Sequence, residues 1–225
     1  TDMGTIGAGG ISSGIYTTDS AAQVKYLVND SKTKFYFAEN EEQLDKILEV
    51  RDECPSLKKI VVYDMEGLND FKDDQVLSYE EFIQLGKKLD ADQPDLWLQS
   101  INSVEADDIA ILVYTSGTTG PSKGAMINHK NLLYSVNTGL EIFEAREHEE
   151  QLSFLPLCHI LERSVSVMFP LKTGAVVNFA ESIDTVPENI REVSPTVFVA
   201  VPRIWEKFYS SITILMKDAT FIGRY

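Results

Sequence analysis

Few cysteines, few basic side chains and the lack of a long apolar run limit what this chain can be. Cys54 and Cys158 lie far apart in no metal-binding spacing, which favours a reducing, cytosolic protein over a disulfide-bonded secreted one. With 20 basic against 35 acidic residues, the net charge of −15 argues against nonspecific nucleic-acid binding and against electrostatic adhesion to an anionic membrane. Since no run of about 18 apolar residues occurs, the sequence predicts no membrane-spanning helix.

Apolar material is nevertheless sufficient for a core, because 44% of the 225 residues are hydrophobic, enough for one domain or most of one. Strand-like runs cover residues 11–16, 34–38, 59–63, 109–114, 124–127, 152–155, 175–179 and 196–199. Helical patterns begin near residues 20, 40, 78, 95, 130, 158, 186 and 202, and residues 64–77 are predicted to be a loop. This alternation predicts an α/β fold of layered, largely parallel sheets flanked by helices, with ligands at the carboxyl ends of strands.

Apolar spacing predicts that the helix beginning at Ser78 turns Phe82, Leu85 and Leu89 toward the core. The last helix has an apolar stripe at three- and four-residue spacing, formed by Trp205, Phe208, Tyr209, Ile212, Leu215 and Met216.

The stretch that is most informative about chemistry is ILVYTSGTTGPSKG, residues 111–124. An apolar run typical of a buried strand ends in a segment of small, glycine and hydroxyl residues, followed by Lys123 and Gly124. Glycines let the backbone approach a ligand, while hydroxyl and N–H groups suit phosphate oxygens. The pattern therefore predicts a phosphate-binding loop. The alternative is a surface loop that only connects two elements.

The charge distribution around this loop favours the same interpretation. No acidic residue occurs from Ile109 to Leu140, although the chain as a whole is strongly acidic, and Lys123, His129 and Lys130 lie in this window. Because a carboxylate-rich surface repels a polyanion, a site for a nucleoside triphosphate needs such a clearing.

The loop matches neither common nucleotide motif. GxxxxGK[ST] requires a hydroxyl residue after the lysine, where Gly124 stands, and GxGxxG fails because residue 12 is serine. TSGTTGPSKG instead resembles the phosphate loop of the adenylate-forming superfamily, which includes acyl- and aryl-CoA synthetases, beetle luciferases and peptide-synthetase adenylation domains. Most members place proline directly before the lysine, whereas here Ser122 intervenes.

Two further segments resemble long-chain fatty acyl-CoA synthetases. Residues 154–163, FLPLCHILER, are similar to the LPL-x-H-x-x-E-R stretch of that subgroup, and residues 201–208, VPRIWEKF, are similar to its VPR-x-W-E-K segment. The small-residue strand from Gly9 to Tyr16 and the helix after it also fit, so the similarity extends along essentially the whole chain.

The resemblance implies activation of a long-chain fatty acid by ATP to acyl-AMP and then to acyl-CoA, with Mg²⁺ and coenzyme A as further cofactors. Catalytic roles are implied for Lys123 and His159, and no metal ligand is predicted. The cofactor-binding residues that it implies are Thr115, Ser116, Gly117, Thr118, Thr119, Gly120 and Lys123.

The resemblance also implies that residues 1–225 are an incomplete large N-terminal AMP-binding domain without the small C-terminal domain, and inactive alone. We expect a fatty-acid substrate, no nucleic-acid partner and a cytoplasmic location. A homodimer, and peripheral membrane contact through parts outside this sequence, are further options.

Several alternatives remain open at this point. His159 either faces the acyl-adenylate pocket or bonds a backbone carbonyl at a helix start, while a Cys158–His159 nucleophile pair is disfavoured because adjacent side chains diverge. Trp205 is predicted in the core, with a channel-lining role as the alternative. Arg163 and Arg203 are expected to be solvated or ion-paired rather than bound to phosphate or coenzyme A.

The function has two alternatives. One is another adenylating enzyme, such as an aryl- or medium-chain acyl-CoA ligase or a peptide-synthetase adenylation domain. The other is a non-catalytic nucleotide-binding or interaction module.

Overall fold

A computed structural model describes residues 1–115, 120–142 and 148–218 of the chain. The residues form two compact units. The first unit consists of residues 1–139 and 156–160, and the second consists of the described residues of 140–155 and 161–225. None of the helices in these described ranges is both long and apolar enough to cross a lipid bilayer.

The first unit is an α/β arrangement of two three-stranded sheets in the described residues. Its strands are β1 (Ser12–Ser13), β2 (Phe35–Ala38), β3 (Lys59–Val62), β4 (Val76–Ser78), β5 (Ile109–Thr115) and β6 (Lys123–Asn128). Its helices are α1 (Asp2–Gly7), α2 (Ala21–Asp30), α3 (Glu41–Val50), α4 (Tyr79–Asp92), α5 (Leu96–Ser103) and α6 (His129–Ile142), whose last residues belong to the second unit.

The sheet β2–β3–β4 is parallel throughout and carries the larger core. Helices α2 and α3 begin where predicted, since the side chains of Ser20 and Asn40 accept hydrogen bonds from the N–H groups of Gln23 and Gln43. The fully buried side chains of this core include Val24 and Val28 of α2, Leu44 and Ile47 of α3, and Ile60 and Val62 of β3.

The prediction of a loop over residues 64–77 is wrong at its end, where Val76 and Leu77 enter strand β4. Its register pairs Ile60 with Val76 and Val62 with Ser78. The carbonyl of Gln75 accepts a hydrogen bond of 2.9 Å from the N–H of Ile60. A strand of three residues has too short a pattern to be recognised in a sequence, and here the neighbouring buried strand supplies the hydrogen bonds that form it.

The second sheet joins β1, β5 and β6, and it carries the predicted phosphate loop. Strand β1 runs parallel to β5, with Ser13 opposite Leu112, whereas β6 runs antiparallel to β5, with Thr115 opposite Lys123. This antiparallel pair forms a hairpin. All other strand pairs among the described residues are parallel, as predicted.

The second unit contains a smaller core. Its elements are β7 (Glu150–Ser153), α7 (Ile160–Arg163), whose first residue belongs to the first unit, a π-helical turn (Ser164–Met168), α8 (Phe169–Thr173), β8 (Val176–Phe179), α9 (Val186–Val193) and α10 (Pro202–Asp218). Strands β7 and β8 are parallel. The buried side chains of the core are Leu152, Phe154, Val186 and Ile204.

The strand predicted over residues 196–199 is reduced to one parallel bridge between Gln151 and Val197. The hydroxyl oxygen of Thr196 accepts the hydrogen bond of the Glu150 N–H at 2.8 Å, so a side chain takes the place of a backbone partner at this point. The ladder does not continue beyond the bridge.

Two predicted apolar faces are largely exposed. Leu85 of α4 is 56% exposed and Leu89 is 47% exposed, while Phe82 packs edge-on against Phe37 with ring centroids 5.5 Å apart. In α10 the buried residue is Ile204, whereas Tyr209 is 74% exposed. The spacing identified real apolar stripes, but a stripe is buried only where another element lies against it.

Tyr36 of β2 makes the stability of the chain sensitive to alkaline pH. Burial, with a smaller contribution from the negative charge of Asp19, raises the pKa of the Tyr36 phenol from 10.0 to about 12. Between these values the unfolded chain loses the proton and the folded chain keeps it, so this contribution to stability is complete below pH 10 and decreases above it. From pH 9 to 11 the free energy of unfolding should fall by about 1 kcal/mol more in the wild type than in Tyr36→Phe.

Urea unfolding at a series of pH values measures this difference. Tyr134→Phe, at a side chain that is 72% exposed, is the matched control and should follow the wild type. Parallel curves for Tyr36→Phe and the wild type would contradict the prediction.

Candidate phosphate-binding site

The hairpin between β5 and β6 brings together the two ends of the predicted phosphate loop. Thr115, the last residue of β5, and Lys123, the first of β6, are paired and exposed. The predicted cofactor-binding residues Ser116, Gly117, Thr118 and Thr119 lie outside the described residues. Gly120 has φ +94°, a conformation that side chains disfavour, and its position is open to solvent. The hairpin thus presents a hydroxyl, a glycine backbone and an ammonium group at one place.

Burial along β5 explains why the chain turns where it does. Ala110, Ile111 and Val113 are buried, and exposure begins at Thr115. In the described ranges of the chain, no carboxylate lies within 4.0 Å of the Lys123 ammonium. The positive charge is therefore available to an anionic ligand.

Helix α2 contacts the second limb of the hairpin, a contact that the sequence did not predict. The hydroxyl of Tyr26 donates a hydrogen bond of 2.7 Å to the backbone carbonyl of Ser122. The hydroxyl of Tyr114 donates one of 2.7 Å to the Asp30 carboxylate. The pKa of the Tyr114 phenol is raised above its ordinary 10.0, mainly by burial. The hydrogen bond to Asp30 and the negative charge of that carboxylate raise the pKa further. The phenol is therefore protonated at neutral pH and can donate this hydrogen bond.

Asp30 brings a carboxylate close to the stretch of sequence that contains no acidic residue of its own. Its carboxylate lies beside β5 although it precedes Tyr114 of that strand by 84 positions. The sequence shows only the charges that are neighbours along the chain, whereas the fold brings in charges from distant residues. The hydrogen bond from Tyr114 satisfies part of this carboxylate, which is itself exposed to water.

Gly124 gives Tyr114 the space that this contact needs. Tyr114 and Gly124 are paired across the hairpin. A Cβ at position 124 would lie 3.1 Å from Cζ and 3.3 Å from the hydroxyl oxygen of Tyr114. The glycine that follows the lysine in the motif therefore has a packing role beside its predicted role at the ligand.

The segment that carries His159 lies against the end of β1. Residues 156–160 belong to the first unit, where Cys158 packs against Gly14. Burial, followed by the charge of Cys158 and a hydrogen bond with it, raises the pKa of Tyr16. Because β1 runs parallel to β5, the residues that follow both strands lie at the same edge of the sheet. His159 is exposed at this edge, one residue before α7.

Other residues singled out in the sequence lie in the second unit. Of the two roles expected for Arg163, the solvated one is wrong because the side chain is only 5% exposed, while the ion-paired role stays a prediction. Arg203 is exposed, in line with a solvated role. The predicted core position of Trp205 is also wrong, because its side chain is 50% exposed, although its indole N–H donates to the Ala200 carbonyl at 3.2 Å. The ring lies edge-on to Phe198 at the rim of the small core and not inside it.

Glu162 of the LPL-x-H-x-x-E-R stretch is a buried carboxylate that sequence reasoning did not single out. Its Oε1 accepts hydrogen bonds from the hydroxyls of Ser153 at 2.6 Å and Ser166 at 2.7 Å. These bonds join β7 to the helical segment after α7 and give the glutamate a structural role.

Comparison with known proteins identifies the family to which this loop and fold belong. The family model described as AMP-binding enzyme matches residues 1–221. The chain belongs to the AMP-binding enzyme family. The resemblance predicted from the three motifs is thereby confirmed.

Relatives within the AMP-binding family include long-chain-fatty-acid–CoA ligases. The chain is 36% identical to ACSBG2 of Homo sapiens over 218 residues, which are 94% of this chain and 32% of that protein. It is 38% identical to ACSBG2 of Gallus gallus over 215 residues, covering 92% of this chain and 27% of that protein. The chain therefore spans about a third of the length of the curated relatives that it matches.

Solved structures support the α/β fold of this AMP-binding chain. The anthranilate CoA ligase AuaEII in complex with anthranoyl-AMP matches with a TM-score of 0.67 and 23% identity, over 87% of this chain and 36% of that one. ATP-bound MatB from Rhodopseudomonas palustris matches with a TM-score of 0.64 and 21% identity, over 90% and 36%. At this identity the likeness shows the fold alone, and it confirms the predicted fold class.

Gly14 allows a test of how the His159 segment is held. A Cβ at position 14 would lie 2.6 Å from the Cβ and 2.8 Å from the Cα of Cys158, so Gly14→Ala forces the backbone of residues 156–160 to move. We expect a loss of about 1–3 kcal/mol in the free energy of unfolding. We also expect faster modification of Cys158 by a thiol reagent, because movement of the backbone exposes its thiol. Cys54 is buried and reacts slowly, so the measured rate reports on Cys158.

Gly86→Ala in α4 is the control, because no atom lies within 4 Å of the added methyl group. This change should leave thiol reactivity unaltered and raise stability by about 0.5–1 kcal/mol. If both variants matched in stability and in thiol kinetics, the contact between Gly14 and Cys158 would not hold the segment.

Proposed function

We propose that this chain supplies the phosphate-binding hairpin of an ATP-dependent long-chain fatty acid–CoA ligase. The observation that carries the proposal is the pairing of Thr115 with Lys123 at the mouth of a glycine- and hydroxyl-rich turn. Membership of the AMP-binding family supports the adenylating part of the proposal, and the names of the relatives support the long-chain fatty acid.

We further propose that the chain is part of a larger N-terminal AMP-binding domain. Its relatives are about three times as long as the stretch that matches. Groups needed for the complete reaction would then lie elsewhere in the protein, and the isolated chain would not turn over. The matched stretch would bind and orient the triphosphate end of ATP.

The first proposed step is an attack by the fatty-acid carboxylate oxygen on the α-phosphorus of ATP. A new bond joins this oxygen to the α-phosphorus, the bond from the α-phosphorus to the bridging oxygen breaks, and pyrophosphate leaves with the electron pair. Lys123, the Thr115 hydroxyl and the glycine-rich backbone would stabilise the negative charge that gathers on the departing phosphates.

The second proposed step is thioester formation. The sulfur of the coenzyme A thiolate attacks the acyl carbon of the adenylate, and AMP leaves as its phosphate oxygen takes the electron pair. His159 is proposed to face the acyl-adenylate in this region, since it is exposed at the strand edge where β1 and β5 end. The cytosolic location and the homodimer stay predictions.

Magnesium is expected with ATP, whose phosphates it would screen. Among the residues that the structure describes, no three carboxylate, imidazole or thiol groups converge to hold a metal ion. We therefore assign no step to a metal held by these residues.

Removal of the Lys123 ammonium tests the hairpin directly. In the full-length protein that contains this chain, Lys123→Ala should lower fatty-acid-dependent ATP–pyrophosphate exchange roughly a hundredfold, because a positioned charge near the leaving group is lost. Its melting temperature should be unchanged, since the side chain is exposed. Lys130→Ala, also exposed on α6, is the charge-matched control and should exchange at the wild-type rate. Near-normal exchange by Lys123→Ala would refute the assignment.

A panel of acids tests the substrate. Pyrophosphate exchange of the full-length wild type with palmitate, octanoate, benzoate and the common amino acids should be fastest with palmitate. Preference for benzoate or octanoate would indicate an aryl- or medium-chain acyl-CoA ligase, and preference for an amino acid an adenylation domain of the peptide-synthetase type. ATP binding without exchange with any acid would favour a non-catalytic module.

A further inference from the structure

Two tyrosine hydroxyls connect the phosphate hairpin to helix α2 in opposite directions. Tyr26 of α2 donates to the carbonyl of Ser122 on the hairpin, and Tyr114 of the hairpin donates to Asp30 of α2. Both donor–acceptor distances are 2.7 Å, typical of strong O–H···O bonds. We call this pair of hydrogen bonds the α2 brace.

The spacing of the brace residues places both bonds on the same side of the helix. Tyr26 and Asp30 are four positions apart, so their side chains share one face of α2. On the hairpin, the two attachment points lie on different limbs, because Tyr114 belongs to β5 and Ser122 directly precedes β6. The brace therefore fixes both limbs of the turn and not just one.

Lys123 is the residue most directly affected by this arrangement. Its backbone follows the Ser122 carbonyl that Tyr26 holds, and Gly124 beyond it lies against the ring of Tyr114. The backbone of Lys123 is thus confined from both sides, whereas its side chain extends into solvent. A long ammonium side chain can reach a phosphate reproducibly only if its backbone has a fixed position.

Helix α2 is itself well anchored. Val24, Leu27 and Val28 are buried, and Ser20 and Gln23 form a capping box at the first turn. A helix held by these contacts gives the brace a firm point of attachment. The half-buried Tyr26 and Tyr114 rings lie where the helix meets the hairpin.

We propose that Tyr26 and Tyr114 are positioning residues for adenylation, and that the α2 brace sets the position of Lys123 relative to the departing pyrophosphate. This inference rests on the proposed function, because it requires Lys123 to act on the phosphates of ATP. The brace acts on the first half-reaction. Thioester formation from acyl-adenylate needs no pyrophosphate contact and does not depend on it.

Phenylalanine substitutions remove the hydroxyls and keep the rings. In the full-length protein, Tyr26→Phe and Tyr114→Phe should each lower kcat for palmitate-dependent ATP–pyrophosphate exchange roughly fivefold, as expected for one lost hydrogen bond. Each should leave KM for palmitate unchanged. Asp30 is exposed, so its carboxylate stays hydrated when Tyr114 loses its hydroxyl and the variant can fold.

The second half-reaction separates positioning from general damage. Supplied with synthetic palmitoyl-AMP and coenzyme A, both variants should form thioester at the wild-type rate, whereas partial unfolding would slow both half-reactions equally. Tyr134→Phe, at an exposed tyrosine of α6, is the matched control and should equal the wild type in both assays.

The outcomes distinguish a failure of the α2 brace from a failure of the proposed ligase function. If the wild type catalyses exchange and Lys123→Ala does not, while both phenylalanine variants exchange normally, the brace is refuted and the function stands. Equal losses in both half-reactions would also refute the brace. If the wild type exchanges with no acid, the proposed function fails first.

Discussion

The candidate site depends on the place where strand β5 passes from a buried sheet to water. Ala110, Ile111 and Val113 are held inside the sheet, and Thr115 at the end of the strand is exposed. The return strand β6 starts at Lys123, directly opposite Thr115. A ligand-binding turn needs such a fixed base, since glycine restricts its own backbone conformation little. The burial of three apolar side chains thus determines where the hydroxyl and ammonium groups are presented.

Many of the helices and strands could be predicted because they depend on residues that are close together in the sequence. Ser20, Asn40 and Ser78 each begin a helix because a short polar side chain can satisfy a free N–H group in the first turn, a requirement that depends on the next three residues alone. Strands such as β2 and β3 are visible because apolar and aromatic residues are concentrated in them. The predicted phosphate loop is recognisable for a comparable reason, since the composition changes within a few residues after β5.

Features that depend on distant residues could not be predicted. Strand β4 exists because β3 offers it a ladder, and the exposure of Leu85 and Leu89 depends on what lies against α4. The contact from Tyr26 to Ser122 joins residues 96 positions apart, and no spacing rule indicates it. In the same way, the acid-free window described the chain correctly but missed Asp30, which the fold places next to Tyr114.

Helix α2 contacts both sheets of the first unit. Val24 and Val28 complete the core over the parallel sheet, while Tyr26 and Asp30 of the same ten residues contact the hairpin between β5 and β6. A defect deep in that core, such as a cavity beneath Val28, would therefore shift the helix and, through it, the hairpin. A substitution in the core could then resemble a substitution in the hairpin itself, although the two lie in different sheets of the unit.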